Sequence, residues 1–583
     1  MRRQRRGIKL LALVFCFGLL AAACGSDKKS SSPNASGSSS STGSSSGGSE
    51  QKKGGTLILG AEQWPDCINP ITQCANSSWM HWAVDEHVLP RLMELDDKGN
   101  FVPSPVLDGD PKLSGAGTES GTGAFTVTYK IAADAVWDDG SPITGDDIDF
   151  TKDAYLKTTG TIGTVGYDKI DKVTSTDNGK TVAVSFTEPF ADWQDLFGGN
   201  SAYLLKKAAF ASTDVSQDML DSIPFSAAPF KLQTFTKEQA IFVPNDKYWD
   251  ADRKPFVDQV VFKPLADSET ELNALKAGEV FAIYPQPSPG IVAQLTDPNI
   301  KFQFGAGTTY EGLWFNEKSL KNPDTVLADK TVREALLFAT DRQAILDQVI
   351  HNISPDVQLL NCAGWVPTVG KWCNQDDYSD VKFDPAKVKS LLEGAGWAKG
   401  SDGIYAKAGK KASLELNSTT GNSRRQRTGE ILQSQWKEAG FDLKLNYTSA
   451  GTLFGQWAPQ GIMVIGLYAQ VPPSTDPGLC LLFCSKNIPT TAKSSGQNWT
   501  RLKSDALDKP WLAVDTTLDE KARKVLVDEG QKAIAAEVPA LPIDPFPDIF
   551  VYNKAKLHGP LGNNVVYGPF WNMNEWWCTG GAC

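Results

Sequence analysis

Tyr129-Lys130-Ile131-Ala132-Ala133-Asp134-Ala135-Val136-Trp137-Asp138-Asp139-Gly140-Ser141-Pro142-Ile143-Thr144-Gly145-Asp146-Asp147-Ile148 is the stretch from which the rest of the chain can be read. It begins on the end of Phe125 to Ile131, where apolar and polar residues alternate as in a half-buried strand. Trp137 then serves as a core anchor, and Asp139-Gly140-Ser141-Pro142 supplies turn chemistry. Thr144 is placed to cap a helix entered through Asp146 and Asp147, where negative charge is favoured near the positive end of the helix. The acid pairs Asp138-Asp139 and Asp146-Asp147 invite comparison with two-carboxylate hydrolases. Adjacent side chains point in different directions, however, so turn and cap roles are expected instead.

Outward from this segment, short strands and amphipathic helices mix without internal repeats. Strands are expected at Thr56 to Leu59 after Gly54-Gly55, at Val182 to Phe186 and at Leu414 to Leu416. A helix over 270–278 ends on Gly278, and 330–350 carries Val332, Ala335, Leu336, Ala339, Ile345 and Val349 on one face. Asp384 caps a helix that starts at Pro385 and stops near Gly394 to Gly396. A further helix over 429–440, with Ile431, Leu432 and Trp436 at helical spacing, precedes a strand at Phe441 to Leu445. This is an α/β pattern without strict βαβ alternation.

With 583 residues, 41% hydrophobic and 21% charged, the chain can bury a large core and has room for about two to four domains. Its net charge is −11, and five of the positive charges (Arg2, Arg3, Arg5, Arg6, Lys9) sit in the first nine residues. The body is therefore acidic, which argues against nucleic acid or a polybasic membrane surface as partners. Leu10 to Ala23 is a 14-residue apolar run behind that basic start. It is too short for an ordinary membrane span and suits a secretory signal peptide over 1–23. Leu20-Ala21-Ala22-Ala23-Cys24-Gly25 resembles a bacterial lipobox, which makes Cys24 the expected acylated residue. Residues 24–55 are dominated by Ser and Gly and read as a flexible tether reaching on the order of 30 Å. Arg5-Arg6 leaves Sec and twin-arginine export both open.

Ten cysteines are present. Apart from Cys16 and Cys24 they form four tight clusters: Cys67 and Cys74, Cys362 and Cys373, Cys480 and Cys484, Cys578 and Cys583. Eight cysteines allow 105 pairings. Nearest-neighbour disulfides are the simplest choice, because each closes a short loop. The spacings are not CxxC and only four histidines are present, so a zinc site is not expected. Outside the tether there is no Gly-x-Ser-x-Gly elbow, no His-Glu-x-x-His and no P-loop. His81, Asp85, Glu86 and His87 are expected at exposed and capping positions of a short helix. Neither an enzyme nor a cofactor is indicated.

The opening segment resembles the signature of family 5 extracellular solute-binding proteins, the oligopeptide- and dipeptide-binding components of ABC importers. The resemblance extends through Gly54-Gly55-Thr56-Leu57 with Ile68-Asn69-Pro70, Asn245 to Trp249 and Leu272 to Glu279. It continues through Phe315-Asn316, Val332 to Arg342, Asp384 to Trp397 and Pro539 to Pro542. Ser226-Ala227-Ala228-Pro229-Phe230 and Phe281 depart from the usual pattern, and both are expected to alter the cleft wall.

The resemblance implies an α/β, two-lobed periplasmic-binding-protein-like fold of class II with an extra inserted domain. The expected division is 56–78 with 200–305 and 543–583 for the first lobe, 79–199 for the inserted domain and 306–542 for the second lobe. The crossings are expected near Lys301 to Tyr310 and Val538 to Pro545. A ligand is held as the lobes close, and the closed form docks on a permease whose ATPase subunits drive import. The protein is expected to be a monomer held at the outer face of the cytoplasmic membrane by its lipid alone.

By the same resemblance the ligand is an oligopeptide added as a strand to an edge. The expected edge positions are Glu62-Gln63-Trp64 and Gly466-Leu467-Tyr468-Ala469-Gln470. Gln470 stands where peptide binders of the family usually place an aspartate for the peptide's ammonium group, so Asp476 is expected to take that role. Trp79, Trp82 and Trp314 either stack on ligand or fill the core, and Trp571, Trp576 and Trp577 are assigned to packing. An oligosaccharide or other non-peptide ligand is the alternative, favoured by abundant aromatics in the cleft. A sensory lipoprotein without a transporter is the other.

Overall fold

Thr56–Ala61 lies inside a seven-stranded sheet, parallel to Gln259–Pro264 on one side and to Ala282–Ile283 on the other. Leu57 and Leu59 alternate into its core and are fully buried. The computed structural model describes residues 51–583 except 120, 200, 201, 306–308, 472–474, 491–494 and 565. The signal peptide, Cys24 and the tether up to residue 50 lie outside the described residues. The remaining strands of this first-lobe sheet are Ile300–Gly305, Asp548–Asn553, Ala240–Pro244 and Phe230–Phe235.

Between residues 61 and 230 the chain builds a second unit around a four-stranded sheet: Lys112–Ser114, Thr126–Lys130, Thr181–Phe186 and Ile170–Thr176. The segment quoted first belongs here. Trp137 is buried edge-on against Phe225, and Thr144 N–H donates to Asp147 Oδ2 at 3.0 Å at the start of helix Gly145–Lys157. Asp138 accepts from Ser226 N–H, and Asp139 accepts from Ser141 N–H within the turn. All these carboxylates hold local structure. The helix Ser78–Val88 carries His81, Asp85, Glu86 and His87 inside rather than on the surface. His81 Nδ1 lies 3.0 Å from Asp85, and His87 Nε2 lies 2.8 Å from the Trp82 carbonyl oxygen. Their mutual pairing is what makes burial tolerable, and polarity alone concealed it.

The second lobe is a five-stranded sheet ordered Asp442–Thr448, Ser413–Thr419, Ile465–Gln470, Tyr310–Phe315, Ala540–Pro545. Helices Lys330–Ala339, Ser423–Ala439, Asp505–Thr516 and Glu520–Glu537 pack on it around fully buried Trp365, Trp436 and Trp511. The helix expected over 330–350 breaks at Thr340. Asp341 there caps a new helix by accepting from Ala344 N–H at 2.9 Å. The apolar face runs straight through the break, which is why spacing alone missed it. Among the described residues no helix is long and apolar enough to cross a membrane.

The chain passes between the lobes after Gly305 and again between Pro545 and Asp548, where Phe546 N–H donates to the Thr309 carbonyl at 2.8 Å. The boundary expected at 542/543 therefore falls inside a strand, and Val538 is a helix C-cap rather than part of a crossing. Pro542 and Pro545 read as strand breakers, but this strand lies at the sheet edge, where proline is tolerated. The four expected pairs, Cys67 and Cys74, Cys362 and Cys373, Cys480 and Cys484, Cys578 and Cys583, lie at disulfide distance, with Cα separations between 4.7 and 5.7 Å.

Candidate functional site

The two sheets face each other across a cleft closed to about 140 Å³. Its first-lobe wall is aromatic: Trp79 and Trp82 project from the 78–88 helix, each with its ring centroid 6.0 Å from Tyr284. The second-lobe wall answers with Tyr468, whose ring lies 5.4 Å from Phe454 and 6.1 Å from Trp499, while buried Trp314 stacks behind it at 5.3 Å. Amides fill the spaces between rings: Gln63, Asn76, Gln286, Gln470 and Gln497. Arg425 and His81 are the charged or titratable cationic groups in the lining, and no carboxylate side chain lines it among the described residues.

The lobes touch directly over this space. Asn422 Nδ2, at the N-cap of helix Ser423–Ala439, donates to Gln286 Oε1 at 2.8 Å. Gln286 in turn donates to Glu62 at 2.6 Å. Gln497 donates to Asn76 at 3.3 Å, and Gln73 to the Gly496 carbonyl at 3.2 Å. Beneath the floor, buried Glu311 accepts from both Arg424 and Arg425, the latter through Nε at 3.0 Å. Burial works to raise the Glu311 carboxyl, but the two guanidiniums overcome it and hold it below the usual range. Asp544 nearby is pushed up to about 7, by burial and by Glu311, against the same two guanidiniums. Burial likewise raises Glu62 against its hydrogen bond from Gln286.

Of the residues expected at the ligand, Gln63, Tyr468, Ala469 and Gln470 line the cleft. Glu62 sits one hydrogen bond behind it. Trp64 does not line it: its ring stacks on Phe235 at 5.4 Å and its Nε1–H donates to the Thr236 carbonyl, on the far flank of the first sheet. Asp476 is not in the lining either. Its carboxylate lies 3.8 Å from Arg523, beside Asp192 of the inserted unit. Strand Ile465–Gln470 is internal rather than an edge. Its ladder to Ser413–Thr419 nevertheless ends at Gly466, so Tyr468 to Gln470 have a strand neighbour only on the Tyr310 side. The departures at 226–230 and Phe281 do not reach the cleft lining, and Ser226 Oγ is spent on the Val88 and Phe230 carbonyls.

Sequence reading missed Asn76, Gln286, Arg425, Phe454, Gln497 and Trp499. The helix expected over 429–440 begins earlier, at Ser423, where Asn422 caps it by accepting from Arg425 N–H at 2.9 Å.

Residues 112–489 match the middle region of the bacterial extracellular solute-binding proteins, family 5, and the chain belongs to that family. Its members are exported substrate-binding proteins of transport rather than enzymes. The chain is 25% identical to the oligopeptide-binding protein OppA of Mycobacterium tuberculosis over 436 residues, which covers 73% of this chain and 70% of that one. The structure of oligopeptide-binding AppA from Bacillus subtilis with a nonapeptide superposes with a TM-score of 0.79 at 21% identity, covering 91% and 100%. The periplasmic EDTA-binding protein EppA gives 0.76 at 19%, covering 90% and 97%. These structural likenesses establish the two-lobed fold.

Proposed function

We propose that this chain is the substrate-binding component of an ABC importer, tethered to the membrane through lipidated Cys24, that closes its lobes on a solute and delivers it to a permease. Closure is favoured because a ligand between the two aromatic walls contacts both lobes only in the shut state. For the ligand, the observation that carries most is the lining itself: rings and amides, with no carboxylate. A free peptide ammonium enclosed there lacks a counter-charge, and an unpaired buried charge costs several kcal/mol. The reading best supported is a neutral polar solute with faces that stack on aromatic rings, of the oligosaccharide or other non-peptide class. The shut volume is below the roughly 300–1,000 Å³ usual for drug-sized ligands, so a larger solute requires the lobes to part.

An oligopeptide is the second reading. The half-paired backbone of Tyr468 to Gln470 offers main-chain hydrogen bonds to an extended chain, and the named relatives OppA and AppA favour it. Native mass spectrometry of the protein purified without denaturation identifies the co-purifying ligand. A peptide with a free amino terminus in that spectrum overturns the non-peptide reading, and a protein that retains no solute from any host medium or peptide and glycan library overturns the binding role.

A further inference from the structure

Where the inserted unit meets the second lobe, away from the ligand cleft, carboxylates crowd a cavity of about 120 Å³. Asp192 and Asp195, from the inserted unit, line it, and Asp476, from the loop after strand Ile465–Gln470, stands beside them without lining it. One carboxylate oxygen of each lies within 4.8 Å of the others. A fourth acid, Asp515 on helix Asp505–Thr516, lines the same cavity. It is 1% exposed, and neither of its carboxylate oxygens has a hydrogen-bond partner among the described residues. It aims at the same point as Asp192: a Cβ on Gly478 would collide with Asp192 Oδ2 and come within 3.3 Å of Asp515 Oδ1.

Positive charge here is scarce. Arg523 bonds Asp192 and lies 3.8 Å from Asp476. Lys169, Lys486 and Lys371 are each engaged with another acid, Glu188, Asp168 and Glu520 respectively. Arg523 is thus the guanidinium shared by Asp192 and Asp476, and Asp515 has no such contact among the described residues. A buried carboxylate without a partner, such as Asp515, calls for a proton or a cation.

The geometry points to a divalent-cation site, of calcium's size and preference for oxygen, held by Asp192, Asp195, Asp476 and Asp515 across the contact between the inserted unit and the second lobe. Calcium takes carboxylate oxygens at about 2.3–2.6 Å, so ligand atoms on opposite sides of one ion stand up to about 5 Å apart, as the three clustered acids do. One such ion supplies two positive charges among these acids. It would also join two parts of the chain that already meet here through Arg523, through the Lys486–Asp168 pair and through the bond from Ala191 N–H to the Asp515 carbonyl, 2.7 Å long.

The test is calorimetric titration of CaCl₂ into chelator-treated mature protein, with thermal melts in parallel. We expect one site with a dissociation constant of about 0.1–1 mM, in the range of extracellular calcium modules, and a melting point that rises with calcium. Asp515→Asn and Asp195→Asn should each weaken binding at least about tenfold. The readout is the calcium-dependent increment, so a changed baseline stability does not confuse it. Asp195 is partly exposed, and its variant keeps the test open if Asp515→Asn does not fold. No binding heat up to about 10 mM, an equal rise in melting point with NaCl at matched ionic strength, or undiminished binding in both variants overturns the proposal.

Discussion

Asn422 Nδ2 and Gln286 Oε1 lie 2.8 Å apart, and this hydrogen bond joins the second lobe to the first directly beside the ligand cleft. Because Gln286 also holds Glu62, closing the lobes completes a chain of three polar side chains. Gln286→Ala should weaken capture of the co-purified ligand about five- to tenfold. It should also cost about 1 kcal/mol of stability by removing one of the side-chain donors to buried Glu62. Calorimetry and denaturant unfolding check the two effects separately, and unchanged affinity would remove this clasp from the closing mechanism.

Glu311 is the shared counter-charge of two buried guanidiniums. Glu311→Gln leaves both short of it, and breaking a buried pair in this way costs about 3–5 kcal/mol. A loss below about 1 kcal/mol in urea unfolding would contradict this account of the cleft floor.

Asp544 sets a pH dependence whose sign follows from its shift. Its carboxyl rises from an ordinary 3.8 to about 7 in the folded protein, so the native state binds the extra proton across that interval. Stability from this group is greatest below about pH 4 and is lost as pH rises towards 7, by a few kcal/mol at most. Stability curves of the wild type and Asp544→Asn between pH 4 and 7.5 should converge at the acid end and separate at neutrality, with the variant higher. Parallel curves would disprove the shift.

Trp499 Nε1–H has no hydrogen-bond partner among the described residues, and its ring lines the cleft. If a ligand acceptor engages it, Trp499→Phe keeps the ring face but loses about 1 kcal/mol, roughly a fivefold drop in affinity. Tyr468→Phe, whose contribution is stacking, should bind nearly as wild type. The reverse ranking would assign polar recognition to the tyrosine.

Labelled palmitate should enter the protein through Cys24, and Cys24→Ala should abolish that labelling while leaving the soluble body folded. Persistent incorporation in the variant would refute the lipobox reading.

The fold was largely legible because its signals are local. Thr144 with Asp147, Asp384 before Pro385 and the stop at Gly278 are set by neighbours in sequence, and each stands where spacing placed it. The site was less so. Gln63 and Tyr468 follow from the family resemblance, but the ends of Glu62-Gln63-Trp64 diverge: Glu62 turns towards Gln286 and Trp64 towards Phe235. Nothing in three consecutive letters encodes that parting. Asp476 was drawn away from the cleft by Arg523, a residue 47 positions later whose partner Asp192 belongs to a different unit. Long-range charge pairing of this kind has no period to read. Thr340 and Asp341 show the opposite difficulty, since a continuous apolar face hid a real break.

The bond from Phe546 to Thr309 has a mechanical consequence. Two separate ribbons between rigid bodies would permit twisting and sliding as well as opening. Stitched together at this point, and with the Arg424 guanidinium 4.6 Å above the Phe546 ring, they behave as a single hinge pin. A pin of this kind would leave the lobes one soft rotation. A single swing would bring the lobes to one shut face of fixed outline, whatever solute lies between them.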